Sequence, residues 1–463
     1  MLNTKTFIAG CAVLLSGAAT PALAQAISLQ EAVTVAVNSN PEIAQAQYNK
    51  EAIQMERKQA EGLYAPRIDF EGSAGVRRLE NATRRTLGIA DDALYPLEAE
   101  LRGEWVAIDF GRRRGEVLRQ AARVDGASLR VLERSETIAL QVTRQYLDVL
   151  LQQRVLAAAQ DNASFHQTLA RDLGTGVKEG SISVADQQQA EERLQAALAR
   201  QTEAEEALEK AKINLRRLTG LDIDQGVLPP TYAEAMPISL DEAVGLARTQ
   251  NPLVREAEAE VDAAHSLADS AKGDLYPRIG VAVSGRIGDD IDGFRGETND
   301  LQAKAFLRWN IFDGGINRAK YQEMVRRASQ SRYNLFELQR EAEQDVRTAW
   351  MLVQTQGRIT DQLGLQSRVS DDLLLSYRSQ FNIGRRSLLD VLDAQNTRFN
   401  IIVRLESARF SQQFARYQTL AATNRLLTAM NIAPGAGAGE HERERFNYGP
   451  AKPAETEYRT PPK

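Results

Sequence analysis

The residues best placed to do chemistry in this chain are carboxylates, and the chemistry they suit is electrostatic. Asp390 and Asp393 lie three residues apart, so on a helix both project from one face. Such a pair sets two negative charges side by side, which attracts cations. A plainer explanation exists for one of them. Ser387-Leu-Leu-Asp390 and Ser183-Val-Ala-Asp186 both have the S-x-x-D spacing of a capping box, so Asp390 and Asp186 also read as helix-start residues. Asp393, one turn deeper, has no such role. No catalytic constellation competes. His166, His265 and His441 are far from other metal-type ligands, which argues against zinc. Gly174-Thr-Gly176-Val-Lys-Glu-Gly180 lacks the Gly-Lys-Ser/Thr of a phosphate loop. Gly435-Ala-Gly437-Ala-Gly439 follows no strand, so it is not a dinucleotide site. The chain reads as no enzyme, with no metal and no cofactor.

These carboxylates sit inside a duplication. Ile27–Pro41 reads ISLQEAVTVAVNSNP and Ile238–Pro252 reads ISLDEAVGLARTQNP, with nine of fifteen positions identical at an offset of 211. Pro66-Arg67-Ile68 returns as Pro277-Arg278-Ile279. Past a loop the offset is 204: Trp105 answers Trp309, Asp109 answers Asp313, Gly111 answers Gly315, Gly180 answers Gly384 and Asp186 answers Asp390. Two copies of one long unit, 25–237 and 238–432, fill nearly the whole chain, and repeats of this kind decide the fold.

Composition agrees with an extended helical protein. Aromatics are 6%, charged residues 26%, and mean hydropathy is −0.39. A net charge of −5 gives no reason to expect nucleic acid. Residues 1–24 read as a secretory signal peptide: Lys5, an apolar run from Phe7 to Ala18, then Ala22-Leu23-Ala24, which predicts cleavage between Ala24 and Gln25. The only cysteine, Cys11, lies inside that run, where apolar sequence continues beyond it, so no lipid is expected on the mature chain. No other stretch is apolar enough for a membrane helix.

Each unit has the order helix, strand, loop, strand, long helix, tight turn, helix. Period-2 segments are predicted at about 67–76, 98–108, 278–287 and 301–311. Alternation over about 9–11 residues matches a transmembrane β-strand, though a soluble hairpin has the same period. The signal peptide and the lack of an adjoining apolar helix favour a membrane barrel. Four strands cannot close one, since about eight is the minimum, so the chain must oligomerise as a dimer or a trimer. Proline-free helices are predicted over about 113–173 and 317–381, each roughly 90 Å long at 1.5 Å per residue. Val142, Tyr146 and Val149 match Val346, Trp350 and Val353 as a narrow coiled-coil seam. Return helices are predicted over about 184–218 and 388–429. Residues 433–463, rich in Gly, Ala, Pro and charge, are expected to be disordered. A plain coiled-coil stalk would explain the helices and leave the strands without a purpose.

The order of these motifs resembles the TolC-like outer membrane efflux protein family. The resemblance rests on Asn40-Pro41, Asn251-Pro252, Trp309-Asn-Ile-Phe-Asp-Gly-Gly315 and the run Phe381-Asn-Ile-Gly384-Arg-Arg-Ser-Leu-Leu-Asp390-Val-Leu-Asp393-Ala-Gln395, and covers about Ile27–Ile432. It implies a mainly α fold with a membrane β-barrel portion: a homotrimer whose twelve-stranded barrel in outer membrane lipid joins an α-helical periplasmic tunnel. The implied function is a passive exit duct. Its implied partners are a periplasmic adaptor (membrane fusion) protein and an inner-membrane ABC or proton-driven transporter. The stretch Asp292–Gly315 looks most like the branch serving type I protein secretion; small-molecule efflux is the alternative. The resemblance also implies that Gly180 and Gly384 mark the tip turns that dock the adaptor, and that Asp390 and Asp393 ring the closed entrance. It implies that Asp186, Phe381 and Arg386 are polar links holding the tip shut. Phe381 replaces a tyrosine there, and Ala185 a threonine, which weakens those links.

Overall fold

The computed structural model describes residues 27–223, 225–439 and 441–446. The expected signal segment, with Ala24 and Gln25, lies outside the described residues. The first repeat runs α1 (Leu29–Ser39), α2 (Pro41–Gly62), β1 (Arg67–Ala74), β2 (Arg77–Arg78), α3 (Ala82–Thr86), β3 (Ala93–Leu94), β4 (Leu97–Ile108), α4 (Arg112–Lys178) and α5 (Val184–Thr219). The second runs α6 (Leu240–Gln250), α7 (Pro252–Gly273), β5 (Arg278–Asp289), β6 (Glu297–Arg308), α8 (Ile316–Asn382) and α9 (Leu388–Ala422), followed by α10 (Leu426–Ala429) and α11 (Glu442–Arg445). The repeats match in length: α4 and α8 are each 67 residues, and α2 and α7 are each 22.

The duplicated motifs are the corners of the fold. Asn40 and Asn251 cap α2 and α7, accepting from Glu42 N and Leu253 N, each at 2.9 Å, with proline at the first helical position. Strand turns into long helix at the Trp–Asp–Gly motif. Asp109 Oδ2 accepts from Arg113 N and Asp313 Oδ2 from Asn317 N, each at 2.9 Å. Gly111 and Gly315 take φ of +95° and +88°, a region that suits glycine. The indole N–H groups of Trp105 and Trp309 donate to the carbonyls of Tyr64 and Leu275, tying each strand back to the preceding helix end.

The four main strands form one antiparallel sheet in the order β1-β4-β5-β6. Register sorts its residues into two faces. Ile68 pairs with Gly103, Phe70 with Leu101, Trp105 with Val281 and Ile279 with Leu307 on the apolar face. Asp69 pairs with Arg102, Glu100 with Arg286 and Arg286 with Asp300 on the polar face, where Arg308 also bonds Glu104 at 2.6 Å. Phe306 is out of pattern. It lies against Gly280, where a Cβ would come within 2.6 Å of its ring, and under the Arg308 guanidinium at 4.2 Å.

The helices form a wall. α4 packs on α2 and α5, and also on α7 and α9; α8 packs on α7 and α9 beyond them. The main core is at the waist, where Leu29, Val33 and Val37 of α1 meet Val142, Tyr146 and Val149 of α4, Leu215 of α5, Tyr417 and Leu420 of α9, and Leu426 of α10. The buried Tyr146 hydroxyl accepts from Val227 N at 2.7 Å and donates to Ile27 O at 2.8 Å, fixing the linker between the repeats.

Some expected bounds move. α4 continues through Gly174 and Gly176 to Lys178, because the turn folds back on it: Ser181 N bonds Gly176 O at 2.9 Å, and Ile182 lies where a Gly176 Cβ would be. β6 spans Glu297–Arg308 and ends where Trp309 turns to its tether. The last return helix stops at Ala422, since Asn424 takes φ of +56°, and the chain restarts as α10. The expected disorder from 433 onward is corrected for the described residues. Gly435 N bonds Ser135 Oγ at 3.0 Å, Ala438 joins the waist core, and Arg443 pairs with Asp125 and Asp262. Few apolar residues hold this strap; charges on distant helices do.

Candidate gate at the helical tip

The two hairpins, α4–α5 and α8–α9, end in matching turns. Gly180 and Gly384 take φ of +73° and +72°, with nothing within 4 Å of an added Cβ. Both glycines are there for backbone conformation, since an L side chain strains in that region. Around Gly384, its own N donates to Phe381 O and Arg385 N donates to Gln380 O, each at 2.9 Å, which closes α8.

The return helices start on serine. Ser183 Oγ accepts from Asp186 N at 3.1 Å, and Ser387 Oγ accepts from Asp390 N at 3.2 Å. Asp390 completes a reciprocal box, its Oδ2 accepting from Ser387 N at 3.3 Å and from Ser387 Oγ at 2.7 Å. Asp186 Oδ2 likewise accepts from Ser183 Oγ at 2.8 Å. Both aspartates are therefore engaged within their own hairpins. Asp393 is exposed and makes no hydrogen bond or ion pair among the described residues. It leaves α9 beside Asp390, opposite the buried Val391, Leu392 and Gln395.

Within one chain, the residues anticipated as links have the following partners. Arg386 Nε donates to Gln380 Oε1 at 3.3 Å, its Nη1 lies 3.8 Å from Asp390 Oδ2, and its guanidinium sits 4.2 Å over the Tyr377 ring. All three partners belong to the α8–α9 hairpin, so within one chain Arg386 does not meet Asp186. Phe381 packs in the apolar seam with Leu173, Leu388, Leu392 and Leu374. Within a chain the tip is thus held by apolar contact between hairpins, while its polar bonds lie inside each hairpin.

A polar layer deeper in the seam went unread in the sequence. Asn162, His166 and Gln395 are 1%, 4% and 2% exposed, and Gln395 Nε2 donates to Asn162 Oδ1 at 3.0 Å. Burial, together with Arg193 and Arg200, lowers the His166 pKa to about 4, so the ring is neutral at physiological pH. The signal was present: His166 interrupts the 4-3 spacing of Ala159, Ala163, Ala170 and Leu173, the positions a coiled coil reserves for apolar residues.

The two-repeat architecture has counterparts among known proteins. The profile of the outer membrane efflux protein family matches residues 32–221 and 243–431, once for each repeat. Outer membrane efflux protein BepC of Brucella suis is 23% identical over 296 residues, covering 62% of this chain and 63% of that protein. Alkaline protease secretion protein AprF of Pseudomonas aeruginosa is 22% identical over 290 residues, 61% of this chain and 60% of that protein. The chain thus spans less than two thirds of the length of either relative. Among solved structures, the CmeC outer membrane channel of Campylobacter jejuni superposes with a TM-score of 0.78 at 14% identity, covering 91% of this chain and 89% of that one. With the family matched over both halves, the chain belongs to the outer membrane efflux protein family.

Proposed function

We propose that three copies of this chain form a passive exit duct, a twelve-stranded barrel continuous with a helical periplasmic tunnel. The observation that carries this is a shared pair of open edges. In the sheet the unpaired edges are β1 and β6. In the helical wall the outer members are α2 and α5 on one side and α8 on the other. Both layers are therefore open at the same two ends, one in each repeat, and one rotation closes both. The helical edges carry apolar residues turned away from the core, Tyr48, Met55 and Ile213 on one side and Met351, Leu365 and Val369 on the other. The apolar sheet face is uncovered, with Phe70 at 74% and Leu301 at 82% exposure, which suits lipid and not a soluble sheet. Two copies would give eight strands, whose interior is just filled by side chains; three leave a water-filled lumen for the charged inner face.

The duct does no chemistry, so energy must come from elsewhere. We infer a periplasmic adaptor at the Gly180 and Gly384 turns and an inner-membrane transporter behind it, of the ABC or proton-driven kind. Type I protein secretion is the favoured use, on the resemblance of Asp292–Gly315 and the similarity to a protease secretion protein. Similarity to an efflux protein, at 23% identity against 22%, supports small-molecule export as the second reading. Native mass spectrometry of the detergent-extracted protein should give three chains, and planar bilayers should show steady conductance. A water-soluble monomer without conductance would end the duct reading. Deleting the gene separates the two uses: loss of a protein from the medium marks secretion, and drug hypersensitivity alone marks efflux.

A further inference from the structure

The seam between the two hairpins of one chain changes character with distance from the tip. At the tip it is apolar, with Ala170, Leu173 and Ala190 against Leu388 and Leu392. Further in, it is polar. Gln395 Nε2 bonds Asn162 Oδ1 at 3.0 Å, from α9 to α4. One residue on, Asn396 Oδ1 accepts from Arg200 Nη1 at 2.8 Å, from α9 to α5, and the Arg200 guanidinium lies 5.7 Å from the Phe399 ring. His166, one turn from Asn162 on α4, has Arg193 and Arg200 of α5 near its ring and belongs to the α4–α5 hairpin itself.

Two buried atoms of this layer have no hydrogen-bond partner: Asn162 Nδ2 and Gln395 Oε1. Buried polar atoms without partners are expensive, and the expense ends when water reaches them. Parting the hairpins here exchanges two hydrogen bonds for hydration and hydrates two unpaired atoms as well. Parting the apolar tip exposes leucine to water and gains nothing. The layer is therefore the part of the seam that water opens most readily, although a leucine seam would pack there at the same spacing.

We propose that Asn162 and Gln395, with the Arg200–Asn396 bond, form a release layer at which the α8–α9 hairpin separates from α4–α5 when the entrance opens. These are positioning residues: they set where the hairpins part and touch no substrate. The proposal rests on the duct reading, and the test keeps the two apart. The plainer role for a polar layer in a helical seam is to fix register, and it predicts the opposite response to apolar substitution.

The decisive variant is the double substitution Asn162→Leu with Gln395→Leu in the full-length protein. A release layer predicts an intact trimer with a higher melting temperature and an open probability in planar bilayers at least fivefold lower. A register device predicts a lower melting temperature or a heterogeneous assembly, which would overturn the proposal. A second measurement uses Asn162→Cys with Gln395→Cys, bridged by a short, reducible bifunctional thiol reagent. Bridging should suppress opening and reduction should restore it; bridged channels that open normally show that the hairpins do not part here. A wild-type trimer that never conducts defeats the duct reading, whereas a conducting wild type with an unchanged double variant defeats the release layer alone.

Discussion

The Arg443 guanidinium lies 2.8 Å from the Asp125 carboxylate and so joins α11 to the first quarter of α4. Its other arm reaches Asp262 on α7 at 2.6 Å, so one side chain spans both repeats. The backbone N–H groups of Glu442 and Arg443 also donate to Asp125, and Glu442 pairs with Arg57 of α2 at 2.8 Å. Asp125 is 2% exposed, and a carboxylate at that depth depends on its donors. Truncation after Ala433 should therefore lower the denaturation midpoint. Arg443→Ala should cost about 2–3 kcal/mol, the range for a charge-assisted hydrogen bond lost from a buried acid. Chemical denaturation of both proteins checks this; a truncated protein with unchanged stability would show the strap to be idle.

The strap also marks where sequence reading stops. The repeats, the corners at Asn40, Asn251, Asp109 and Asp313, and the two-faced strands were legible because each is set by neighbours a few residues away. The segment beyond Ala433 has little apolar content, and composition alone reads it as unfolded. Its anchors, Ser135, Asp125 and Asp262, lie hundreds of residues upstream and have no local signature. The tip divides in the same way. Ser387 and Asp390 announce a helix start, and the structure has one. The link roles expected of Asp186 and Arg386 depend on how hairpins face each other within and between chains; within one chain each residue has a partner in its own hairpin.

Gly384 and Gly180 should behave unlike Gly176. At the two turns an added Cβ meets nothing within 4 Å, so the cost of Gly384→Ala is backbone strain alone, roughly 1–2 kcal/mol, and a β-branched residue adds to it. The trimer should survive while crosslinking to the adaptor falls. At Gly176 a Cβ would lie 2.6 Å from Ile182, so Gly176→Ala should instead shift the turn and loosen the α4–α5 tip to proteases. Unchanged crosslinking and export in both Gly180→Val and Gly384→Val would remove the docking role.

Stability should depend on pH in two directions. Glu136 is buried at the waist, where its Oε1 accepts from Leu427 N at 3.3 Å, and burial pushes its pKa up to about 8. The folded chain holds that proton and the unfolded chain releases it near 4.5. The stabilising contribution is full below about 4.5 and is lost as pH rises towards 8. Glu136→Gln keeps the acceptor without the charge, so it should raise the melting temperature at pH 8 and change little at pH 4.5. His166 has the opposite sign. Its pKa falls from 6.5 to about 4, so its contribution is intact above 6.5 and is lost as pH drops towards 4. His166→Leu should flatten the acid side only. Melting curves across pH 4–8 that are parallel for all three proteins would contradict both assignments.

Asp390 and Asp393 separate cleanly as a test of the entrance. Asp390 is committed to Ser387 and lies near Arg386, so Asp390→Ala should cost about 1 kcal/mol as a lost cap whether or not a gate exists. Asp393 is exposed and without a partner among the described residues, so Asp393→Asn should leave the melting temperature unchanged. If three copies bring these carboxylates into one ring, Asp393→Asn should still weaken cation selectivity and block by trivalent cations in planar bilayers. The double variant should lose both, because a narrow pore lined by one sign of charge concentrates the opposite ion. Added salt should shrink the difference between wild type and variant, since exposed charges are screened within about 10 Å at 0.1 M. Selectivity and block that persist in the double variant would place the ring elsewhere and leave Asp390 as a helix cap alone.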